Sequence, residues 1–167
     1  MKALQDKVAL VTGASRGIGR AIALKLGSLG CHVAFSYRSQ EAQAKEVEQE
    51  LRRLGVKAKA SQVDIQDFAK VKEWVGQVKD EFGRLDILMN NAGIVIDKPL
   101  MMMSPEDWKG VIDTNLTGMF HASKACVMSF MKQKQGNIVN ISSVSGIIGL
   151  PGQTNYSASN LRSVLPL

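Results

Sequence analysis

Three hydroxyl side chains and one amide in the second half of the chain have the types and spacing to act on a carbonyl group. Ser142 and Ser143 end the β-branched run "GNIVNISS", and Tyr156 opens a later helical stretch. We expect the tyrosine and serine hydroxyls to meet over a substrate carbonyl, where two hydrogen-bond donors would stabilise negative charge on the carbonyl oxygen. Asn115 falls on an apolar helix face. Because a buried asparagine must find partners, it belongs either to a structural network or to a site.

A glycine-rich turn near the N-terminus has the composition of a phosphate-binding loop. The stretch "TGASRGIGR" directly follows a β-branched run and opens a helical one. Gly13 would permit the tight turn, Gly17 would let the backbone approach a pyrophosphate, and Gly19 would allow close packing of helix on strand. Free N–H groups at the helix N-terminus add partial positive charge. The turn therefore predicts a dinucleotide site, with a simple tight turn as the alternative.

The end of the second predicted strand indicates which dinucleotide is bound. Sites that prefer NAD place a carboxylate there for the ribose 2′-hydroxyl, whereas this chain has Tyr37 and Arg38. Arg38 and Arg16 could together hold a 2′-phosphate, so we predict NADPH rather than NADH. A solvated surface charge is the alternative for each arginine. Asp64, after the third strand, could accept a hydrogen bond from the adenine amino group or cap a loop.

Alternating strands and helices must position these residues. Strands are predicted at 8–11 and in the stretches "CHVAFSY", "VKAKASQVD" (weak, at an edge), "LDILMNNAG" and "GNIVNISS". Helices are predicted at 17–29, around Ala44 to Leu54, around Phe68 to Phe82, from the "SPED" signal with Ser104 as N-cap and Pro105 at N1, and after a cap at Thr154 or Asn155. On the long helix, Trp108, Ile112 and Met119 are expected to share one inward face with Asn115. The alternation predicts right-handed β-α-β crossovers and an open parallel α/β sheet with ligands beyond the carboxyl ends of its strands.

Composition excludes several classes of protein. The 167 residues are 45% hydrophobic and 22% charged, with no apolar run long enough to cross a membrane and no signal peptide, so we expect a cytoplasmic globular domain. The net charge of +6 comes from scattered lysines and arginines, which indicates a solvated surface first, an acidic or phosphate-bearing partner next and nucleic acid last. Cys31 and Cys126 are expected to be buried reduced thiols, and no metal site is predicted.

Five motifs in order resemble the short-chain dehydrogenase/reductase family, from residue 7 to about 159. They are "TGASRGIG", "NNAG" at 90–93, Asn115, the serine of "ISSVSG" and "YSAS". Within that family, the stretch "RLDILMNNAGIVIDKPLMMMSPEDWKGVIDTNLTGMF" is most similar to bacterial 3-oxoacyl-(acyl-carrier-protein) reductases of fatty acid synthesis. The resemblance implies a Rossmann-like doubly wound sheet and an NADPH-dependent carbonyl reductase, acting on acyl thioesters that are small molecules or bound to a carrier protein.

The resemblance also implies a role for each matching residue. Ser143 would position and polarise the substrate carbonyl, Tyr156 would donate the proton, and Asn115 would hold a water in the proton relay. The "NNAG" turn would line the adenosine ribose. With the glycine turn and the residues at the strand ends, the predicted cofactor-binding set is Gly13, Ser15, Arg16, Gly17, Ile18, Gly19, Arg38, Asp64, Asn91, Ala92 and Gly93.

The sequence departs from the family pattern in two places. Asn160 stands where the family has a lysine, whose ammonium favours the ionised tyrosine and holds the nicotinamide ribose. A catalytically dead NADP-binding remnant is therefore the alternative to an impaired reductase. The family also continues beyond "NLRSVLPL", in which Pro166 would end any helix. We accordingly expect one truncated domain over residues 1–167, the strand order 3-2-1-4-5 without the family's last two strands, and homo-oligomers that cover an exposed fifth strand.

Overall fold

The computed structural model describes residues 2–161, in which strands and helices alternate as predicted. The strands are β1 (Val8–Val11), β2 (His32–Tyr37), β3 (Ala58–Gln62), β4 (Ile87–Asn90) and β5 (Asn137–Asn140). The helices are α1 (Gly17–Ser28), α2 (Glu41–Arg53), α3 (Phe68–Phe82), α4 (Pro105–Ile112), α5 (Gly118–Gln133) and α6 (Thr154–Leu161). Pro166, which the sequence predicts to end any helix, lies outside the described residues.

The five strands form one parallel sheet in the order β3-β2-β1-β4-β5, which confirms the predicted α/β fold. The chain moves outward from β1 to β3 and then returns to the other side of β1 as β4. The order therefore reverses beside β1, and a crevice opens there beyond the carboxyl ends of the strands. The glycine turn follows β1 at this crevice.

Helices on both faces of the sheet bury its apolar side chains. All four residues of β1 are fully buried, which explains their continuous apolar run. On one face Val8 and Leu10 pack in a cluster with residues of α3 and α5. On the other face Val11 and Phe35 pack with residues of α1 and α2. Each such side chain contributes about 1.5–3 kcal/mol by leaving water, so the crevice lies beside a well-buried part of the sheet.

The helix signal "SPED" has the predicted cap geometry. Ser104 Oγ accepts a hydrogen bond from Asp107 N (3.1 Å), and Ser104 N donates to Asp107 Oδ2 (2.9 Å). This reciprocal pair satisfies two backbone donors that the helix start would otherwise leave unpaired. Pro105 occupies the first turn of α4, where its missing N–H costs nothing.

Two predictions about helix detail are wrong. Trp108, predicted to face inward with Met119, is 41% exposed, whereas Met119 is buried. A π-helical segment, Asp113–Thr117, separates α4 from α5 and rotates one relative to the other, so a single helical period does not hold across it. At the last helix, Thr154 and Asn155 are already helical rather than capping residues.

Within residues 2–161, β5 pairs on one side only, with β4, and Val139 in this strand is 41% exposed. The predicted edge is therefore present, and self-association through it stays a prediction. Cys31 and Cys126 are buried and form no disulfide. Burial raises the pKa of each thiol to about 12, which keeps both protonated. None of the helices that the structure describes combines the length and apolar composition needed to cross a bilayer.

Candidate functional site

A cleft of about 560 Å³ opens at the carboxyl edge of the sheet, where the strand order reverses. Every residue of the predicted cofactor-binding set lines it, and so do Asn115 and Tyr156. Ser143 does not. The fold thus gathers residues that are spread over most of the chain into one continuous space.

The glycine turn has the shape that a phosphate requires. Gly13 has a φ of +68°, and a side-chain Cβ there would lie 2.9 Å from Ala92 Cα. Gly17 has a φ of +58°, and nothing lies within 4 Å of where its Cβ would be, so the backbone can be approached directly. A Cβ at Gly19 would lie 2.5 Å from Gly13 O. The turn is thus a cradle that larger residues would strain or fill, and it fits a dinucleotide pyrophosphate at the α1 N-terminus.

Thr12 is a site residue that the sequence reasoning missed. Its Oγ1 accepts hydrogen bonds from the backbone N–H groups of Asn91 and Ala92, both at 2.9 Å. The Asn91 amide donates to Thr12 O (2.9 Å) and Gly13 O (3.0 Å). The "NNAG" turn is thereby fixed against the glycine turn. The signal was a buried threonine at the strand end, but its partners lie almost eighty residues away and only the fold identifies them.

Two arginines line the cleft, one directly after β2 and one at the start of α1. Arg38 is exposed, and its Nε lies 3.5 Å from Asp64 Oδ2. Asp64 Oδ1 accepts a hydrogen bond from Gln66 N (3.0 Å), so Asp64 caps this loop, and its contact with adenine stays a prediction. Arg16 is also exposed and is the N-cap residue of α1. Both residues line the same cleft, and their guanidinium groups are of the type that binds anions.

Asn115 lies in the π-helical segment, and both the oxygen and the nitrogen of its side-chain amide are hydrogen-bonded to protein groups. Its Oδ1 accepts from Ile94 N (2.8 Å), and its Nδ2 donates to Ile94 O (3.0 Å) and Ser159 Oγ (3.1 Å). The side chain joins the loop after β4 to helix α6, so it forms a structural network, and it also lines the cleft. Gly93 leaves room for it, because a Cβ there would lie 3.3 Å from Asn115 Oδ1. The water-holding role stays a prediction.

Tyr156 and Asn160 bring helix α6 to the opposite end of the cleft. The Asn160 side chain donates from Nδ2 to Tyr156 O (2.9 Å), and Ser142 Oγ donates to Asn160 O (3.2 Å). Asn160 is only 8% exposed. Among the described residues that line the cleft, the cations are Arg16 and Arg38, so the described residues at its Tyr156 end contribute no positive charge.

Ser143 lines an adjoining hollow instead, together with Gly146 and Ile147. Ser142 and Asn160 border both spaces, which places the hollow directly beside the Tyr156 end of the cleft. Ser143 Oγ accepts a hydrogen bond from Ser145 N (3.2 Å) at the start of a short 3-10 turn. The sequence did not predict that Ser142 would border both spaces whereas Ser143 would line only the hollow.

Asn155 is a second residue that the sequence reasoning did not place in the site. It is fully buried, and its Nδ2 donates to Ile96 O (3.1 Å) and Asp107 O (3.3 Å). These bonds hold α6, and with it Tyr156, against the loop after β4 and against α4. The part of the chain that the structure describes holds no group of three His, Cys, Asp or Glu side chains that could bind a metal.

Known proteins are similar to this chain in sequence and in fold. A family model described as short chain dehydrogenase matches residues 7–161. The chain is 46% identical, over 92% of its length, to 3-oxoacyl-(acyl-carrier-protein) reductase FabG of Staphylococcus aureus, and 46% identical, over 93%, to that of Haemophilus influenzae. It covers 62% and 63% of those proteins. A crystal structure of a protein from Sinorhizobium meliloti 1021, described as a short-chain alcohol dehydrogenase, superposes with a TM-score of 0.91 at 34% identity, over 95% of this chain and 62% of that one.

The family match covers nearly all of the described residues. The strand order, and the glycine turn at the point beside β1 where that order reverses, are those that the resemblance to the family predicted. This chain belongs to the short chain dehydrogenase family.

Proposed function

We propose that this protein is an NADPH-dependent carbonyl reductase that converts 3-oxoacyl thioesters to 3-hydroxyacyl thioesters in fatty acid synthesis. The observation that carries the proposal is one continuous cleft lined by the glycine turn, two arginines and Tyr156. The reductase names of the relatives from S. aureus and H. influenzae support this substrate class. A cytoplasmic location, a carrier-protein-bound substrate and a homo-oligomeric state are parts of the same proposal.

The residues of the cleft fit a nicotinamide dinucleotide. Gly13, Gly17 and the free N–H groups at the start of α1 would hold its pyrophosphate. Arg38 and Arg16 would hold a 2′-phosphate, because guanidinium groups pair with phosphate through two parallel hydrogen bonds. When bound, the cofactor supplies hydride to the substrate carbonyl carbon.

Tyr156 is the proton donor in this proposal. Reduction of a ketone to an alcohol requires one hydride and one proton. The Tyr156 hydroxyl gives its proton to the carbonyl oxygen, and the phenolate regains a proton from water. Ser143 donates a hydrogen bond to the same oxygen and so stabilises the negative charge that develops on it.

A second candidate function is NADP binding without catalysis. Asn160 favours this alternative, because its neutral amide lies where the family's lysine supplies a positive charge beside the tyrosine. The glycine turn and Arg38 do not depend on Asn160, so nucleotide binding would survive the loss of turnover.

Oxidation of NADPH in the presence of acetoacetyl-CoA distinguishes the two candidates. The reductase proposal expects turnover above background that Tyr156→Phe abolishes, with NADPH binding by that variant unchanged in calorimetry. The binding-only alternative expects no turnover, together with about equal affinity for NADPH and 2′,5′-ADP. Failure to bind either nucleotide would contradict both.

A further inference from the structure

We propose that Ser145, Gln153 and Asp97 form a directed chain of hydrogen bonds that sets the direction in which the Ser143 hydroxyl donates. They are positioning residues for Ser143, which itself acts on the substrate in the proposed reductase. The inference therefore rests on the proposed function. It identifies the residues that orient the hydroxyl that would polarise the substrate carbonyl.

The chain has three consecutive links. Ser143 Oγ lies 3.2 Å from Ser145 Oγ, and Ser145 Oγ lies 2.8 Å from Gln153 Oε1. Gln153 Nε2 lies 3.2 Å from Asp97 Oδ2. Ser145 is 4% exposed and Asp97 is exposed, so the links run from the hollow beside the cleft to the surface.

The chemistry of the end groups fixes every donor. An ionised Asp97 can only accept, so the Gln153 amide must turn its NH₂ toward it and its oxygen toward Ser145. Because that oxygen also can only accept, the Ser145 hydroxyl must donate to Gln153. Ser145 Oγ is then left to accept from Ser143. Each group donates toward Asp97, and such head-to-tail bonds strengthen one another.

The two loops that carry the chain are held together independently. Lys98 N donates to Gly152 O (2.9 Å), directly beside Asp97 and Gln153. Asn155 Nδ2 donates to Ile96 O on the other side. The direction of the hydrogen bonds can therefore change without separating the loops.

The consequence concerns the hydrogen of Ser143. In this arrangement Ser143 donates to Ser145 and accepts from Ser145 N, so it presents an oxygen lone pair rather than a hydrogen to any substrate carbonyl. To polarise a carbonyl, the hydroxyl must rotate and give up its bond to Ser145. The chain thus restrains the very hydroxyl that the reaction uses.

Removing the acceptor should release Ser143. We expect Ser145→Ala to raise kcat for acetoacetyl-CoA by about 2- to 10-fold, the equivalent of one neutral hydrogen bond, with KM unchanged. Its melting temperature should fall, since a buried hydrogen bond is lost. Ser145→Thr keeps the hydroxyl and should restore the wild-type kcat. If the three residues only tie the loops together, Ser145→Ala would lower kcat and the melting temperature in parallel, which overturns the proposal.

A second arm does not depend on turnover. Asp97→Asn replaces an obligate acceptor by an amide that can also donate, so the chain loses its fixed direction. In ¹H–¹⁵N spectra we expect Asp97→Asn to shift the Gln153 side-chain amide and also the backbone N–H of Ser145, which donates to Ser143 Oγ. Asp80→Asn, an exposed change on α3, is the matched control and should leave both signals in place.

The two arms separate the two proposals. If the wild type has no turnover, the reductase proposal fails and the amide shifts still decide whether the chain is directed. A Ser145 N–H signal that is the same in wild type and Asp97→Asn would overturn the inference, whatever the kinetics show.

Discussion

Asn160 lies beside Tyr156 and brings no charge to that end of the cleft. Its amide is nearly buried, donates to Tyr156 O and lies within reach of the Ser142 hydroxyl, so the residue holds local structure without adding charge. A positive charge at this position would favour the ionised form of a neighbouring hydroxyl and so assist proton transfer.

Asn160→Lys should therefore raise kcat for acetoacetyl-CoA reduction, by up to about 10²-fold, the low end of what general acid–base assistance contributes. Asn160→Gln is the control, because it changes the length of the side chain and leaves it neutral. The measurement is steady-state NADPH oxidation at saturating substrate. Equal rates in the two variants would contradict a role for the charge.

Arg38 is the residue on which the predicted preference for NADPH depends. Removing it deletes a cation at the β2 end and leaves the Asp64 carboxylate without this ion pair, where it would repel a phosphate. Arg38→Ala should weaken NADPH binding by about 10- to 100-fold, the value of one or two charge-assisted hydrogen bonds.

The same change should leave NADH binding within about 2-fold, because NADH has no 2′-phosphate to lose. Both dissociation constants can be measured by quenching of protein fluorescence. Arg53→Ala, an exposed arginine near the end of α2, is the charge-matched control. A parallel loss for NADPH and NADH would show that Arg38 acts on something other than the 2′-phosphate.

At the scale of elements, α4 supports α6 and thereby the Tyr156 end of the cleft. Asn155 in α6 donates to Asp107 O in the first turn of α4, and Asp107 also closes the capping box with Ser104. The start of α4 therefore has both a local and a tertiary function.

Ser104→Ala should lower the free energy of unfolding by about 1 kcal/mol, because a backbone N–H at the helix start loses its acceptor. Ser104→Thr keeps a hydroxyl acceptor and should lose less than half of that. Urea denaturation followed by circular dichroism measures both. An alanine variant as stable as the wild type would mean that water replaces the cap without cost.

At the scale of the whole molecule, stability should depend on pH through Asp86. Burial by itself raises the pKa of this carboxyl, but hydrogen bonds from Arg84, Val8 N and Lys7 together hold the pKa below its ordinary value. The bonds measure 2.6 Å to Arg84 Nη2, 2.9 Å to Val8 N and 3.3 Å to Lys7 Nζ. Since they favour the charged form in the folded state, the contribution is complete above the unfolded-state pKa of about 3.9 and is lost as the pH falls through the lower folded-state pKa.

Asp86→Asn should cost about 1–3 kcal/mol of unfolding free energy at pH 7, because an amide cannot accept from all these donors. The loss should shrink between about pH 5 and pH 2, where the wild type loses the same contribution. Urea denaturation at a series of pH values gives the comparison. A difference that stays constant down to pH 2 would contradict the assignment to Asp86.

The exposed edge of β5 gives a prediction about assembly. Among the described residues β5 pairs only with β4, and its other side offers backbone donors and acceptors to another chain, so we expect self-association at micromolar concentration. Val139→Lys should weaken it, and Leu54→Lys, on the far side of the sheet, should not. Sedimentation velocity measures the effect, and a monomeric wild-type profile would contradict the prediction.

The sequence by itself determined the fold and most of the cleft. Alternating short and long periodic segments specify a parallel α/β sheet, because periods of two and of 3.6 residues are local properties of the chain. The glycine spacing predicted the turn for the same reason, because the positive φ values at Gly13 and Gly17 are local backbone conformations that favour glycine. Arg38 could be placed because it directly follows β2, and the residues after parallel strands meet at one edge of the sheet.

Only the tertiary structure decided which side chains are partners. The π-helical segment shifted the register at Asn115, and Thr12 gained its role from a turn almost eighty residues away. The separation of Ser142 from Ser143, and the chain from Ser145 to Asp97, depend on how two loops meet. Local sequence patterns determine the helices and strands. Hydrogen bonds between distant loops depend on tertiary packing, which the spacing of residues along the chain does not reveal.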